Sequence, residues 1–394
     1  MAMPDRPDDA AERARDMLRE TGVARVMTST SVDKHPTAFF HTGLPILRAA
    51  LSPQMMSATL APVLQPLSSN GSAPIISYAQ LLAYKQGNRG LIRYELAGAV
   101  RDDLVVFGKL YPDPERAMRV YDIMWRLWNQ VFAGQQEIGV PQPLGWIPEL
   151  AMLVYVPTEG ALLGEAVVEA QALRYMRLAG TWLGTLHASQ LPLDRQLRLP
   201  SEIMNAQMWA EEIAQSYPEG EEAARRIAAY LQEQGQSIQF ETEVPIHKDF
   251  HYAHIVVNGG LHVIDLDEMR RGDPNFDLAH FCANLHLLSY RKKSAPYQFS
   301  ALQNAFLDAY ARRTGWMSNE RFVYFYAYTC LKIARQICSR RGPRPRPEGA
   351  EQRAQTQLML DQGLAALPHG ARGRLAGKFA TQIIDRREQN EGGS

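Results

Sequence analysis

Residues 244–281 have the sequence VPIHKDFHYAHIVVNGGLHVIDLDEMRRGDPNFDLAHF, and this stretch decides the fold. Two short apolar segments, 255–257 and 261–264, flank the Asn-Gly-Gly sequence at 258–260. Because asparagine and glycine tolerate positive φ, the pattern predicts a β-hairpin whose turn lies at these residues. The expected cross-strand pairs are Val257 with Leu261 and Ile255 with Val263.

Polar side chains gather at the open end of the predicted hairpin. The pairing places His254 beside Asp265, and Asp249 lies in the loop just upstream. We expect these three side chains to converge, as oxygen and imidazole groups that suit a divalent cation and proton transfer. The alternative is a surface hairpin with solvated ends, but such ends carry fewer ionisable groups than this stretch does.

The same stretch resembles the phosphotransferase block of the aminoglycoside phosphotransferase and choline kinase-like family, whose fold is that of protein kinases. That family has His-x-Asp, then an Asn, a hairpin, an Ile-Asp pair, and Gly-Asp-Pro followed by Asp-Leu-Ala. The order and spacing are specific. The matching positions are His247, Asp249, Asp265, Asp273 and Asp277.

Phosphoryl transfer is the chemistry that the resemblance implies, with the protein positioning groups and neutralising charge. Asp249 would accept the proton of a substrate hydroxyl. Asp265 would hold Mg²⁺, a hard cation that prefers carboxylate oxygen, and Asp267 is either a second, water-mediated ligand or a solvated carboxylate. The expected supporting residues are His247, Asp273 and Asp277.

Two positions depart from the family pattern. His254 stands where the family has Asn, and Lys248 replaces the usual glycine between His247 and Asp249. Imidazole is a poor ligand for Mg²⁺ and a better one for Mn²⁺ or Zn²⁺, so His254 leaves the choice and number of metal ions open. These departures also keep a nucleotide-binding pseudokinase or regulatory module as the alternative function.

A third function, a zinc-dependent hydrolase, follows from the same letters. The residues His247, Asp249, His251 and His254 form an HxDxHxxH string with the ligand types of zinc sites. The remainder of the chain argues against it, because it supplies the other parts of a nucleotide-dependent kinase in the expected order.

Composition indicates a globular protein of one or two lobes, with 394 residues of which 46% are hydrophobic. The chain has no run of 18 apolar residues and its first residues are charged, so we expect a cytoplasmic protein without a membrane span. The formal net charge of zero gives no argument for nucleic-acid or membrane binding. Cys282, Cys330 and Cys338 lie in apolar helical segments and are expected to be reduced core residues.

Three predicted strands, 79–85, 90–98 and 104–111, resemble the kinase N-lobe. The loop Gln86 to Arg89 would cover the nucleotide phosphates, and Arg89 would add charge there. Period-two alternation places Lys109 on an otherwise apolar face, as an ammonium that requires an anion. The alternative is an edge-strand lysine that protects against aggregation.

By the same resemblance, Lys109 contacts the α- and β-phosphates of ATP, with GTP left open. Its carboxylate partner would come from the following helical segment, where Glu115 or Asp122 could serve. Main-chain groups of Val154, Tyr155 and Val156 would pair with the base in a hinge between lobes.

The predicted class is α+β, with a bilobal protein kinase-like fold: a small antiparallel β-sheet N-lobe and a mostly helical C-lobe. The expected domains are a helical N-terminal extension (1–74), a nucleotide-binding N-lobe ending in the hinge (75–157), and a C-lobe with the catalytic loop and hairpin (158–394). The acceptor would be a small molecule with a hydroxyl group, such as a sugar, an amino alcohol or an aminoglycoside-like compound. The sequence leaves the oligomeric state open.

Overall fold

The computed structural model describes residues 46–68, 71–85, 88–101, 103–167, 171–238, 243–293, 296–339 and 349–367. Several predictions lie outside these ranges, namely those on residues 1–45, on the loop residues 86–87 and on the tail beyond 367. The described residues form two compact units. Of the described residues, the first unit comprises those up to Glu165 together with Ala253–Asp267, and the second comprises Ala166–Tyr252 and those from Glu268 onward.

In chain order, the strands are β1 (Ile75–Lys85), β2 (Arg89–Ala97), β3 (Val105–Leu110), β4 (Ile138–Gly139), β5 (Gln142–Ile147), β6 (Met152–Val156), β7 (Ala161–Leu162), β8 (Val244–Ile246), β9 (Ile255–Val257), β10 (Leu261–Val263) and β11 (Arg270–Gly272). The helices are α1 (Leu47–Ala50), α2 (Pro53–Leu64), α3 (Pro114–Arg126), α4 (Leu163–Ala166), α5 (Ala172–Ala188), α6 (Leu199–Ser216), α7 (Glu221–Gly235), α8 (Asn275–Arg291), α9 (Pro296–Thr314), α10 (Glu320–Cys338) and α11 (Gly349–Ala366).

An antiparallel five-stranded sheet, in the order β1-β2-β3-β6-β5, forms the centre of the first unit. The three strands predicted before residue 112 are all present, and β1 begins at Ile75, four residues before the predicted start, because it continues to pair with β2 as far as Ala97. Leu47 of α1 and Leu60 of α2 join the buried core that includes Tyr94 of β2. Burial of these large apolar side chains fixes the sheet that carries Lys109.

The predicted hairpin forms the middle of a second sheet in the first unit, with the order β4-β10-β9-β7. Its register is the predicted one, with Val257 opposite Leu261 and Ile255 opposite Val263. The amide of Ile264 donates to the His254 carbonyl oxygen at 2.9 Å, so the ladder continues to the open end of the hairpin. Short 3₁₀ turns at Tyr252–His254 and Leu266–Glu268 flank the hairpin.

Helices make up most of the second unit. Phe250, in the loop after β8, stacks on Trp182 of α5 at a ring-centroid distance of 5.5 Å and packs against Phe281 of α8 at 5.3 Å. Phe306 of α9 completes this aromatic core, 4.2 Å from Phe281. The loop that carries Asp249 therefore lies on a rigid apolar base.

Three further sequence predictions concern the cysteines, the membrane and the domains. Cys282, Cys330 and Cys338 are buried free thiols, as expected. Within the described ranges, the helices are too short or too polar to cross a membrane. The predicted division at residues 74 and 157 stays a prediction, while the compact units group the hairpin with the N-terminal sheet.

Candidate active site

Two carboxylates, Asp265 and Asp267, directly follow β10 in the first unit. Asp265 has φ of 59°, a left-handed conformation that costs a residue other than glycine about 1–3 kcal/mol and therefore has to be held by its surroundings. The side chain of Asp265 is 17% exposed and that of Asp267 only 2%. The pair is thus a largely buried dicarboxylate, which needs cations near it.

Lys109 is the first of these cations. Its Nζ lies 3.0 Å from Oδ1 of Asp265 and 2.7 Å from Oδ1 of Asp267. Strand β3 lies between β2 and β6, so Lys109 is an interior-strand lysine and the edge-strand alternative is wrong. The anion that its apolar face required is this pair of aspartates.

The expected partner of Lys109 was a carboxylate of α3, and the structure differs. Among the described residues the ion pairs of Lys109 go to Asp265 and Asp267, while Asp122 pairs with Arg126 at 2.8 Å and Glu115 is exposed. An aspartate that lies more than 150 positions further along the chain replaces the helix carboxylate, because the hairpin packs within the same unit as β3.

Arg89, the first residue of β2, is the second cation. Its Nη1 lies 3.2 Å from Oδ1 of Asp265 and 3.2 Å from Oδ2 of Asp267, so one guanidinium nitrogen bridges both carboxylates. Asp265 and Asp267 raise the pKa of Arg89 above its usual range, so the guanidinium stays charged. Arg89 was predicted to contact phosphates, and in this structure it contacts the two aspartates.

Tyr111 and Arg116 complete the contacts of Asp267. The hydroxyl of Tyr111 donates to Oδ1 at 2.9 Å, and Nη2 of Arg116 lies 3.7 Å from Oδ2. The guanidinium of Arg116 also covers the Tyr111 ring, 5.5 Å from its centroid. Asp267 is therefore an anchored carboxylate, in contrast to the solvated one that the sequence left open.

Charge balance decides the protonation of Asp265. Burial opposes its charge, but Lys109, Arg89 and His254 outweigh burial and hold the pKa of Asp265 well below its usual range. His254 lies with Nε2 3.6 Å from Oδ2 of Asp265. The carboxylate is consequently ionised at neutral pH.

The donor set of these residues fits a divalent ion. Asp265 and Asp267 provide ionised carboxylate oxygens, the hard donors that Mg²⁺ and Mn²⁺ prefer, and the His254 nitrogen beside Asp265 suits Mn²⁺ better than Mg²⁺. A metal held here would add the positive charge that phosphates need. Each of the two carboxylates already contacts Arg89 and Lys109.

An apolar group lies on the same sheet. Leu82, Ala83, Leu91 and Phe107 are buried together, with Tyr155 packed edge-to-face against Phe107 at 5.8 Å. Aliphatic and aromatic walls of this kind suit a planar heterocycle.

The three predicted hinge residues differ in their main-chain bonding. Val154 and Tyr155 lie opposite residues of both β3 and β5, so their backbone is within the sheet. Val156 lies opposite Gln142 of β5, while the register of β6 with β3 ends at Tyr155. Of the three, Val156 is the position best suited to pair with a base.

Asp249 lies in the second unit and is surrounded by basic side chains. Its Oδ1 is 3.2 Å from Nε2 of His280 and 3.5 Å from Nζ of Lys332, and its Oδ2 is 3.9 Å from Nε2 of His251. Burial, assisted by the nearby charge of Lys332, lowers the pKa of His280 to about 4. A neutral His280 can therefore donate its Nε2 proton to Asp249 and orient the carboxylate.

The loop that carries Asp249 is held by Asp277 of α8. The amides of His247 and Lys248 donate to the two oxygens of Asp277, at 2.6 and 2.8 Å. His187 is buried and reaches Asp277 with Nε2 at 3.2 Å and the Tyr310 hydroxyl with Nδ1 at 2.9 Å. His187 and His247 lower the pKa of Asp277 despite its burial, so it accepts these bonds as an anion.

His247 and Asp273 also lie where a supporting role places them. The amide of Asp249 donates to Nδ1 of fully buried His247 at 3.3 Å, and Phe250 contacts the His247 ring. Asp273 accepts from the amide of Asn275 at 2.8 Å at the start of α8. The first contact holds the loop from within, and the second holds the start of α8.

Lys248 shows why the family has glycine at its position. Its φ is 68°, in the left-handed region that favours glycine. Its Nζ lies 2.5 Å from Oε1 of Glu202, a buried residue of α6, and Tyr328 donates a hydrogen bond to the other Glu202 oxygen. The ion pair stabilises a conformation that the backbone alone would disfavour.

Four residues near these aspartates were not predicted. His280 is part of the quoted DLAHF sequence, so its proximity to the block was a usable signal. Lys332 is a single basic residue in the apolar run of α10, the same signal that identified Lys109. Tyr111 shares the strand face of Lys109 by period-two alternation, but no local pattern identifies Asp267 as its partner, and Glu202 has no distinguishing local pattern.

Solved structures with the same fold are kinases and phosphotransferases. A spectinomycin phosphotransferase in complex with ADP and spectinomycin is 13% identical, with a TM-score of 0.51 over 78% of this chain and 98% of that one. An amicoumacin kinase in complex with AMP-PNP and Ca²⁺ is 14% identical, with a TM-score of 0.52 over 81% and 95%. The choline kinase of Streptococcus pneumoniae is 14% identical, with a TM-score of 0.50 over 80% and 99%.

The predicted α+β, protein kinase-like fold is confirmed by these structures, and the molecule belongs to that fold class. The model of the phosphotransferase enzyme family matches residues 100–322, and the chain belongs to this family. The resemblance noted in the sequence is thereby confirmed. A sequence search of the curated proteins found no match.

Proposed function

We propose that the protein is a small-molecule kinase that transfers the γ-phosphate of ATP to a hydroxyl group. The observation that carries the proposal is the environment of Asp249. Its carboxylate has His280 and Lys332 within 3.5 Å and is on a loop held by Asp277. An oriented carboxylate of this kind can accept the proton of an acceptor hydroxyl and direct its oxygen to phosphorus.

The first unit carries the groups that suit a nucleotide. Lys109 and Arg89 provide charge for the phosphates, and Asp265 with Asp267 would hold Mg²⁺ or Mn²⁺, which supplies charge neutralisation on the phosphates when bound. The buried apolar group around Phe107 would cover the base, and Val156 would pair with it. Two similar structures contain ADP or AMP-PNP, which supports ATP as the donor.

The division of labour follows the predicted domains. We assign nucleotide binding to residues 75–157. We assign the catalytic base Asp249, the hairpin and the acceptor site to residues 158–394. The proposed acceptor is a small molecule with a hydroxyl group, of the sugar, amino alcohol or aminoglycoside-like class.

A nucleotide-binding pseudokinase is the second candidate. The observation that favours it is that Arg89 and Lys109 already neutralise Asp265 and Asp267, and that His254 replaces the family's Asn. The zinc hydrolase has less support, because His247 is buried against Trp182 and Phe250 and serves the loop.

Phosphate transfer from ATP to a panel of sugars, amino alcohols and aminoglycosides, with Mg²⁺ or Mn²⁺, tests the proposal. Asp249→Asn should lower turnover by about 10²–10⁴-fold while nucleotide affinity stays unchanged. Asp194→Asn, at an exposed aspartate of the same unit, is the matched control and should behave as wild type. Nucleotide binding without transfer to any acceptor would indicate the pseudokinase, and absence of nucleotide binding would reject both.

A further inference from the structure

Arg89 contacts both aspartates proposed to hold the metal. Besides its 3.2 Å contacts to Asp265 Oδ1 and Asp267 Oδ2, its Nη1 lies 3.4 Å from Asp265 Oδ2. With Lys109 bonded to the Oδ1 atoms of the same two residues, each of the four carboxylate oxygens lies within 3.4 Å of a cationic nitrogen. The aspartates are saturated by side chains of their own unit.

The positive charges of this group equal or exceed its negative charges. Two carboxylates carry two negative charges, and Lys109 and Arg89 carry two positive charges, with Arg116 adding a third cation 3.7 Å from Asp267. A divalent ion that approached these oxygens would therefore meet a neutral or positive group. At a few ångströms, in a partly buried site, the cationic nitrogens repel a divalent ion.

The two cations differ in their freedom to leave. Lys109 lies in an interior strand, with its Nζ 5.6 Å from the centroid of the Tyr111 ring. Arg89 is the first residue of β2, so it lies at the end of the strand and not within it. A guanidinium also binds phosphate in a bidentate manner, which gives it a competing partner of higher charge.

We propose that Arg89 is a positioning residue that keeps free divalent ions off Asp265 and Asp267 until nucleotide binds. The phosphates attract Arg89 away from the aspartates, and the vacated oxygens then accept the metal. The metal consequently enters together with the nucleotide, and Arg89 ends on the phosphates, where it supplies positive charge. This regulation rests on the proposed function, because it requires a nucleotide site next to Arg89.

The replacement of Asn by histidine agrees with this role. His254 places an imidazole nitrogen, not an amide oxygen, 3.6 Å from Asp265 Oδ2, so the group has one hard donor fewer. The Arg89 guanidinium supplies one of the positive charges that a second metal ion would otherwise bring. The arrangement therefore suits a single metal ion accompanied by Arg89.

Mn²⁺ binding without nucleotide, measured by the electron paramagnetic resonance signal of free Mn²⁺, tests the inference. Arg89→Gln should bind Mn²⁺ at least about tenfold more tightly than wild type, since it loses the repelling charge. Arg89→Lys, which retains the charge, should bind it as weakly as wild type. Arg93→Gln is the matched control on the same strand, because Arg93 pairs with Glu95, and it should leave Mn²⁺ affinity unchanged.

A second measurement compares Mn²⁺ binding with and without ADP. With ADP present, the wild type should bind Mn²⁺ more tightly than it does without ADP, and more tightly than free ADP binds Mn²⁺. The same addition of ADP should increase the Mn²⁺ affinity of Arg89→Gln much less. The inference would be overturned if wild type and Arg89→Gln bound Mn²⁺ equally well without nucleotide. It would also be overturned if the nucleotide-free wild type bound Mn²⁺ as tightly as it does with ADP. Failure of the proposed function would differ from both, since no variant would bind ADP or transfer phosphate.

Discussion

The ammonium of Lys248 lies 2.5 Å from the carboxylate of Glu202, and this contact fixes the residue that precedes Asp249. Burial lowers the pKa of Lys248 and opposes ionisation of Glu202, but the pairing of the two, with Tyr328 as a further donor, holds the pKa of Glu202 below its usual value. The pair therefore stays charged, and the left-handed backbone of Lys248 is held by a side-chain contact to α6.

Removal of the Lys248 side chain should destabilise the protein by two separable effects. Lys248→Ala leaves Glu202 buried without its cation, which costs about 3–5 kcal/mol for a broken buried pair. Lys248→Gly has the same loss but relieves the left-handed strain, so it should be more stable than Lys248→Ala by about 1–2 kcal/mol. Urea unfolding of the two variants measures both quantities, and equal stabilities of the alanine and glycine variants would contradict the strain argument.

The carboxylates of α3 should contribute little to the free energy of unfolding, whereas Asp267 should contribute much more. Asp267→Asn weakens contacts to Lys109, Arg89 and Tyr111 at a residue that is 2% exposed, and should cost about 3 kcal/mol. Glu115→Gln and Asp122→Asn should each stay within about 0.5 kcal/mol of wild type, since exposed ion pairs contribute little.

Denaturant unfolding followed by tryptophan fluorescence gives these three values. The half-exposed pair of Asp122 with Arg126 serves as the internal control, because it is also an acid bonded to a base. A loss from Glu115→Gln as large as that from Asp267→Asn would restore the helix carboxylate as the partner of Lys109.

Local patterns predicted the elements and most of the aspartates, but not the pairing of charges. The turn at 258–260 determines the hairpin register, because so short a loop allows few pairings of the two apolar segments beside it. The lysine on β3 was identified by period-two alternation. Its partner was expected on the next helix because the family resemblance implied a carboxylate there, with Glu115 or Asp122 as the candidates.

Long-range contacts are what the sequence alone could not provide. Lys109 and Asp265 are 156 positions apart, and Lys332 and Asp249 are 83 apart. The apolar run around Lys332 distinguishes it from a solvated helix lysine, but no pattern there identifies Asp249 as its partner. The departure at Lys248 was visible in the sequence, whereas its compensation by Glu202, 46 positions away, required the fold.

Acid should destabilise the second unit through His280. Burial and Lys332 lower its pKa from 6.5 to about 4, so the unfolded chain binds a proton at a higher pH than the folded protein does. The contribution of His280 is therefore fully present above about pH 6.5, is lost as the pH falls towards 4, and amounts to about 3 kcal/mol. Burial lowers the pKa of His286 to about 4 as well, so it adds in the same direction.

The free energy of unfolding measured between pH 4 and pH 7.5 tests this assignment. His280→Gln should show a shallower decrease with falling pH than wild type, with the decrease from His286 retained. The idea fails if wild type and His280→Gln have parallel pH profiles over this range.

Lys332 should act through Asp249 and not through the nucleotide. Its Nζ lies 3.5 Å from Asp249 Oδ1, on the same oxygen that His280 contacts, so the ammonium helps to fix the carboxylate. Lys332→Gln should lower kcat by about 10-fold or more, since a displaced base loses part of the 10²–10⁴-fold that proton transfer supplies, and should leave the KM for ATP unchanged. Lys332→Arg, which retains the charge, should recover part of the loss.

Arg335→Gln is the control from the same helix, because Arg335 pairs with Glu212, and it should keep wild-type kcat. A rise in the KM for ATP with unchanged kcat would instead assign Lys332 to nucleotide binding.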